Sequence, residues 1–147
     1  MSGAAETIEH FFEHAEIPFK RVADGAWAAQ LSGERKHTIP LGIALSGDRV
    51  LFESFFMRRP QENGEQFYEL LLRRNMRAYG VHFAVDQQGD VFLVGARAAA
   101  GLDEDELDRI IGSILIEADG LFNAAISIGF KTYLAADMAW RARGGNA

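Results

Sequence analysis

The sequence predicts an α+β domain, an antiparallel five-stranded sheet with helices packed on it, in the order α-β-β-β-α-β-β-α. Three observations carry this. Apolar residues recur at helical spacing in three separate stretches, short runs rich in β-branched and aromatic residues lie between Gly, Ser and Asp turns, and two strand-to-strand connections are short enough to be antiparallel hairpins. At 147 residues the chain fits one domain, taken as 1–143, with Gly144–Ala147 as a disordered tail.

Ile8, Phe11, Phe12 and Ala15 stand at i, i+3, i+4, i+7, which predicts an amphipathic helix from Ala4 to about Glu16, closed by Pro18. Strands are expected over Ala26–Leu31, His37–Leu45 and Val50–Met57. Gly47-Asp48 suits a two-residue hairpin turn with Gly first, pairing Leu45 with Val50, Ile43 with Phe52, Leu41 with Ser54 and Ile39 with Phe56. Pro40 cannot donate to a ladder and belongs at an edge or a bulge. A second helix is expected from Asn63, as N-cap, to Tyr79, stopped by Gly80.

A hairpin follows, Val81–Asp86 with Val91–Gly95, tightened by Gln88-Gly89; its register puts Val81, Phe83 and Val85 on one face with Phe92 and Val94. The last long helix opens with a capping box of Asp103 and Glu106 and a staple of Leu102 with Leu107. It runs to about Ile128, Gly129 ends it, and its buried arc reads as wholly apolar. The first and last helices then share one sheet face.

Composition narrows the function. The net charge of −6 argues against generic nucleic-acid binding, which needs Lys and Arg against phosphates. No apolar run approaches the ~20 residues that span a bilayer, and the N-terminal stretch is acidic and amphipathic, unlike a signal peptide, so a cytoplasmic location is expected. The absence of Cys removes disulfides, thiol nucleophiles and thiolate metal sites. There is no phosphate loop, no calcium loop around Asp86 and Asp90, and no serine, histidine and acid close in sequence; neither cofactor nor metal is expected.

His10-Phe11-Phe12-Glu13-His14 spells the H-x-x-E-H of inverted zinc peptidases, but the Ile8/Phe11/Phe12/Ala15 stripe turns His10 and His14 toward water, leaving a metallohydrolase as a remote reading. Arg58, Arg59, Arg73, Arg74 and Arg77 form the basic concentration of the chain. They either pair with Glu62, Glu65 and Glu69 or, as guanidinium forks, receive an acidic ligand or partner, which would make the protein a small-ligand or phosphate sensor. Arg74 and Asn75 fall inside the apolar arc of Phe67, Leu70, Leu71, Leu72 and Ala78; burying them unpaired costs several kcal/mol, so each needs a fixed partner or an incompletely covered helix. The hairpin registers place Leu51, Phe55, Met57, Val91 and Leu93 on the sheet face turned away from the helices, too apolar for open water, which predicts a homodimer or a bound partner segment there.

The motifs Arg58-Arg59-Pro60, Leu71-Leu72-Arg73-Arg74-Asn75, Tyr79-Gly80-Val81 and Gly89-Asp90-Val91-Phe92-Leu93-Val94-Gly95 follow in that order, with Asp119-Gly120-Leu121-Phe122-Asn123, Gly129-Phe130 and Trp140-Arg141 after them. Together they resemble the bacterial YbjN family, whose members are labelled sensory transduction regulators. The resemblance implies a fold like that of type III secretion chaperones and a non-enzymatic role as a protein-binding or regulatory domain, with a protein partner it does not name.

Overall fold

The computed structural model describes residues 3–145. Its elements are α1 (Gly3–His14), β1 (Phe19–Ala23), β2 (Ala26–Leu31), β3 (Ile39–Ser46), β4 (Arg49–Met57), α2 (Gly64–Asn75), β5 (His82–Val85), β6 (Val91–Ala98), α3 (Glu104–Gly129) and α4 (Lys131–Ala142). The strands form one antiparallel sheet in the order β1-β2-β3-β4-β6-β5, so six strands stand where five are expected. The additions are β1, a short edge strand, and α4, a final helix beyond the stop at Gly129.

One face of the sheet is closed. Ile8, Phe11 and Phe12 of α1 and Leu107, Ile110, Ile114, Ala118 and Leu121 of α3 share a core with Trp27, Ile43, Phe52, Phe56 and Leu93 of the sheet. Each fully buried large side chain contributes about 1.5–3 kcal/mol relative to exposure, which is what holds the helices down. Helix α3 is long and apolar enough to cross a bilayer by composition, yet its apolar stripe is buried against the sheet, and it is a core helix. Polar ties fix α1: the Glu9 carboxylate accepts from Trp27 Nε1 (2.7 Å) and pairs with Arg21, joining α1 to β2 and β1.

The first hairpin has the expected register, with Leu45 opposite Val50 and Ile43 opposite Phe52. Gly47 takes φ +63° at the first turn position. Pro40 lies opposite Gln30 of β2, while the β3–β4 ladder starts only at Gly42 and Glu53. At Pro40 the strand therefore has a single partner, β2.

The second hairpin is shifted by one residue from the expected register. Asp86 and Asp90 close a three-residue loop, with Asp86 N donating to Asp90 O (3.0 Å), instead of Gln88-Gly89 making a two-residue turn. Phe83 then faces Leu93 and Val85 faces Val91. With a side-chain period of two, that slip exchanges the faces of the whole strand. A further irregularity between Phe55 and Met57 turns Phe56 and Met57 both inward.

Helix α2 ends at Asn75, four residues before Tyr79, because its last turn tightens: Met76 N and Arg77 N donate to Arg73 O and Arg74 O. Asn63 is left-handed (φ 54°), and its side chain donates to Ile128 O (2.9 Å) instead of capping α2. The start of α3 is as expected, Asp103 Oδ1 accepting from Glu106 N at 2.8 Å. The buried arc of α3 is not wholly apolar: Ser113 and Glu117 are buried in it. Of the expected tail, Gly144 and Gly145 form a turn on the end of α4, and Asn146 and Ala147 lie outside the described residues.

Candidate functional site

The other face of the sheet is a groove of about 1440 Å³ whose lining, among the described residues, includes no helix. Its floor is Ala26 and Ala28 of β2 and Pro40, Gly42 and Ala44 of β3. One wall is Leu51 and Phe55 of β4 with Phe92 and Val94 of β6; the other is Lys20 and Val22 of β1. The registers explain this distribution. Ala26, Ala44 and Leu51 lie in one cross-strand row, and Lys20, Ala28, Gly42, Glu53 and Val94 in the next, so small residues occupy the middle strands and large ones the flank. Phe55 and Phe92 meet edge to face at 5.4 Å between ring centroids. Phe55 is 38% exposed and Val94 37%; Lys20 and Glu53 are the charged residues of the lining.

Of the five residues expected on this face, Leu51 and Phe55 are there. Met57, Val91 and Leu93 are not; all three are buried under the helices, displaced by the bulge after Phe55 and by the one-residue register shift of the second hairpin. Their places are taken by Phe92 and Val94, with Ala96.

The arginines do not converge. Arg58 lies over the Phe130 ring, 5.2 Å from its centroid. Arg59 donates its backbone N–H to Asp90 Oδ1 (2.8 Å), and its side chain packs along Gly89. Arg73 pairs with Glu69 one helical turn away. Arg74 reaches across to α3 and bonds Glu117 (2.5 Å), their side chains 27% and 8% exposed. Arg77 is exposed, and its guanidinium has no partner among the described residues. Asn75 turns the other way: its Oδ1 accepts from Phe83 N (2.8 Å) and its Nδ2 donates to Phe83 O (3.1 Å), so that one side chain occupies a backbone position on the edge strand β5. Arg74 and Asn75 thus have fixed partners within the chain.

His10 and His14 are exposed on α1, and His14 Nδ1 meets Glu104 Oε1 at 2.8 Å, an α1–α3 link; Glu13 is also exposed. Among the described residues no cluster of three His, Asp or Glu side chains is arranged to hold a metal ion.

Carboxylates clamp the connections around the sheet. Asp119 accepts from the backbone of Arg35 (2.6 Å) and Lys36 (2.9 Å), pinning the β2–β3 loop to α3 and holding its own pKa below the usual range. Glu106 is lowered chiefly by the Tyr79 hydroxyl, with Arg109 and Arg97 beside it. Glu62 is lowered by the backbone N–H and hydroxyl of Thr132 at the start of α4. Burial pushes Lys36 down.

Sequence reasoning missed α4. None of its residues is buried, yet it carries Tyr133, Met138 and Trp140, 54%, 62% and 42% exposed. The signal for it was Tyr133, Ala136 and Trp140 at i, i+3, i+7 after the break at Gly129-Phe130.

An antiparallel sheet with helices packed on it is a fold shared with type III secretion chaperones. A chain of the heterodimeric ExoU-SpcU complex from the type III secretion system of Pseudomonas aeruginosa superposes with a TM-score of 0.60 at 17% identity, covering 79% of this chain and 95% of that one. The crystal structure of YbjN from E. coli gives 0.54 at 15% identity, over 79% and 91%. In sequence, an uncharacterized protein of Mycobacterium tuberculosis H37Rv is 38% identical over 129 residues, 88% of this chain and 70% of its own length. Residues 4–127 match the model of the YbjN family, described as "Putative bacterial sensory transduction regulator". The chain belongs to the YbjN family.

Proposed function

We propose that this chain is a non-enzymatic, cytoplasmic, chaperone-like regulatory domain that binds another protein by taking an apolar segment of it into the sheet groove. The observation that supports this most is the groove itself: small residues on the floor, Leu51, Phe55, Phe92 and Val94 on one flank, and no element among the described residues covering it. A concave, mostly apolar surface with a few polar groups at its edge is the usual form of a binding site. The known structures with this fold include a heterodimeric complex, which fits a binding role without naming a partner for this chain. The spread of Arg58, Arg59, Arg73, Arg74 and Arg77 over separate contacts favours this reading over a phosphate site.

The test is capture from native cell extract on tagged wild-type protein and on Phe55→Glu, with folding of the variant confirmed by circular dichroism. A partner retained by the wild type and lost by the variant is expected. Recovery of the same proteins by both would overturn the assignment of the groove.

A further inference from the structure

Among the described residues the groove and the apolar side of α4 both lack a cover, and we infer that each covers the other between two copies: α4 of one copy lies in the sheet groove of its partner, reciprocally. This rests on the reading of the groove as a docking face and names its occupant.

The dimensions agree. From β1 to β4 the groove spans three strand spacings, roughly 14 Å, and an α-helix with its side chains is about 10–12 Å across. Strand β3 has eight residues, about 26 Å of extended chain, and α4 has twelve, about 18 Å of helix, so the helix fits within the length of the floor. Ala28, Gly42 and Ala44 let a helix approach the sheet closely, while Phe55, Phe92 and Val94 form the flank against which Tyr133 and Trp140 would pack. Half the surface of a helix ~18 Å long and ~12 Å across is roughly 350 Å². Two reciprocal contacts then bury roughly 1,400 Å² in all, within the size class of stable complexes, whereas a single such contact falls below it.

The chain cannot use α4 this way on itself. Gly129 is packed under Phe67 and Pro60, and Phe130 is at once the end of α3 and the start of α4, so α4 begins on the side of the sheet that carries the helices. The family model matches residues 4–127 and so ends before α4.

The chain has no cysteine, so single introduced thiols report the geometry directly. Ala28→Cys marks the groove floor and Ala136→Cys marks the docking side of α4. When the two variants are mixed and mildly oxidised, the disulfide-linked product expected is the mixed dimer. A product dominated by Ala136→Cys with itself would mean that helices pair with helices, and one dominated by Ala28→Cys with itself that sheets pair with sheets; either overturns the proposal.

Sedimentation supplies the second reading. The wild type is expected to be a dimer at high micromolar concentration, and both Phe55→Glu and the double variant Tyr133→Glu/Trp140→Glu to lose association by roughly 30-fold or more, the effect of removing a hot spot. A monomeric wild type, or either variant assembling like it, overturns the proposal. Should Phe55→Glu unfold, Val94→Glu on the same flank replaces it. If the docking face itself is wrong, Phe55→Glu keeps both its captured partner and its assembly. If only the occupant is wrong, Phe55→Glu loses its captured partner while the α4 variant assembles as the wild type does.

Discussion

Arg74 lies in the apolar arc of α2, and the structure supplies what that position demands, the Glu117 carboxylate on α3 at 2.5 Å. Removing one member of a largely buried pair leaves the other charge without compensation, whereas an exposed cation is worth little. Arg74→Ala is therefore expected to lower stability by about 1–3 kcal/mol and Arg77→Ala by about half a kcal/mol or less, compared by urea titration. Adding Glu117→Leu to Arg74→Ala should recover part of the loss, because it removes the stranded carboxylate. The helical wheel identifies Arg74 as a residue in need of a partner, but it does not identify Glu117. That residue stands three after Ile114 and four before Leu121, inside an arc read as apolar, and only the crossing of α2 over α3 brings the two charges together.

Acid sensitivity also belongs to single residues. Glu9, Glu62, Glu106 and Asp119 all have folded pKa values held below the usual range by the hydrogen bonds they accept. A group depressed on folding stabilises the fold at pH above its unfolded value, about 4 for a carboxylate, and that stability is lost as pH falls through the folded value. Stability should thus be flat near neutrality and drop below about pH 4. Asp119→Asn should shallow the acid limb measured by thermal denaturation at stepped pH. An unchanged limb would mean that the β2–β3 loop is not held by this carboxylate.

Among the elements, the faces were legible where turn chemistry was unambiguous and lost where it was not. Gly47-Asp48 left one choice of loop length, and its hairpin has the expected register. Gln87-Gln88-Gly89 left two, and the three-residue loop moved Val91 and Leu93 from the open face to the core. Strand β1 was invisible because Phe19-Lys20-Arg21-Val22-Ala23 puts two cations where an alternating pattern wants apolar residues, a composition suited to an edge. The opposite edge is protected differently, by the Asn75 side chain on the backbone of Phe83. Asn75→Ala should cost about 1–3 kcal/mol, since it leaves a half-buried N–H unpaired, and should expose the β5 edge. Light scattering at rising concentration, alongside a denaturant titration, checks both effects; a variant as stable and as dispersed as the wild type would show that water replaces the amide.

On the scale of the whole molecule, the two faces of the sheet are treated oppositely. Helices α1 and α3 bury the face that carries Trp27, Phe52, Phe56 and Leu93, and the chain then continues into a helix that adds nothing to that core. The ties of α4 to the domain visible in the structure are its junction through Phe130, its contacts with α3 and the two hydrogen bonds from Thr132 to Glu62. A chain ending at Phe130 should accordingly fold with a stability within about 3 kcal/mol of the intact protein, the order expected for two hydrogen bonds of about 0.5–1.5 kcal/mol each. The comparison belongs at sub-micromolar concentration, where association does not add to apparent stability. Raising the concentration should then separate the two proteins: the intact chain gains stability with concentration as its groove is covered, and the shortened chain does not. A loss of more than about 3 kcal/mol at low concentration would instead place α4 in the fold of the single domain, since losses of that size come from the core.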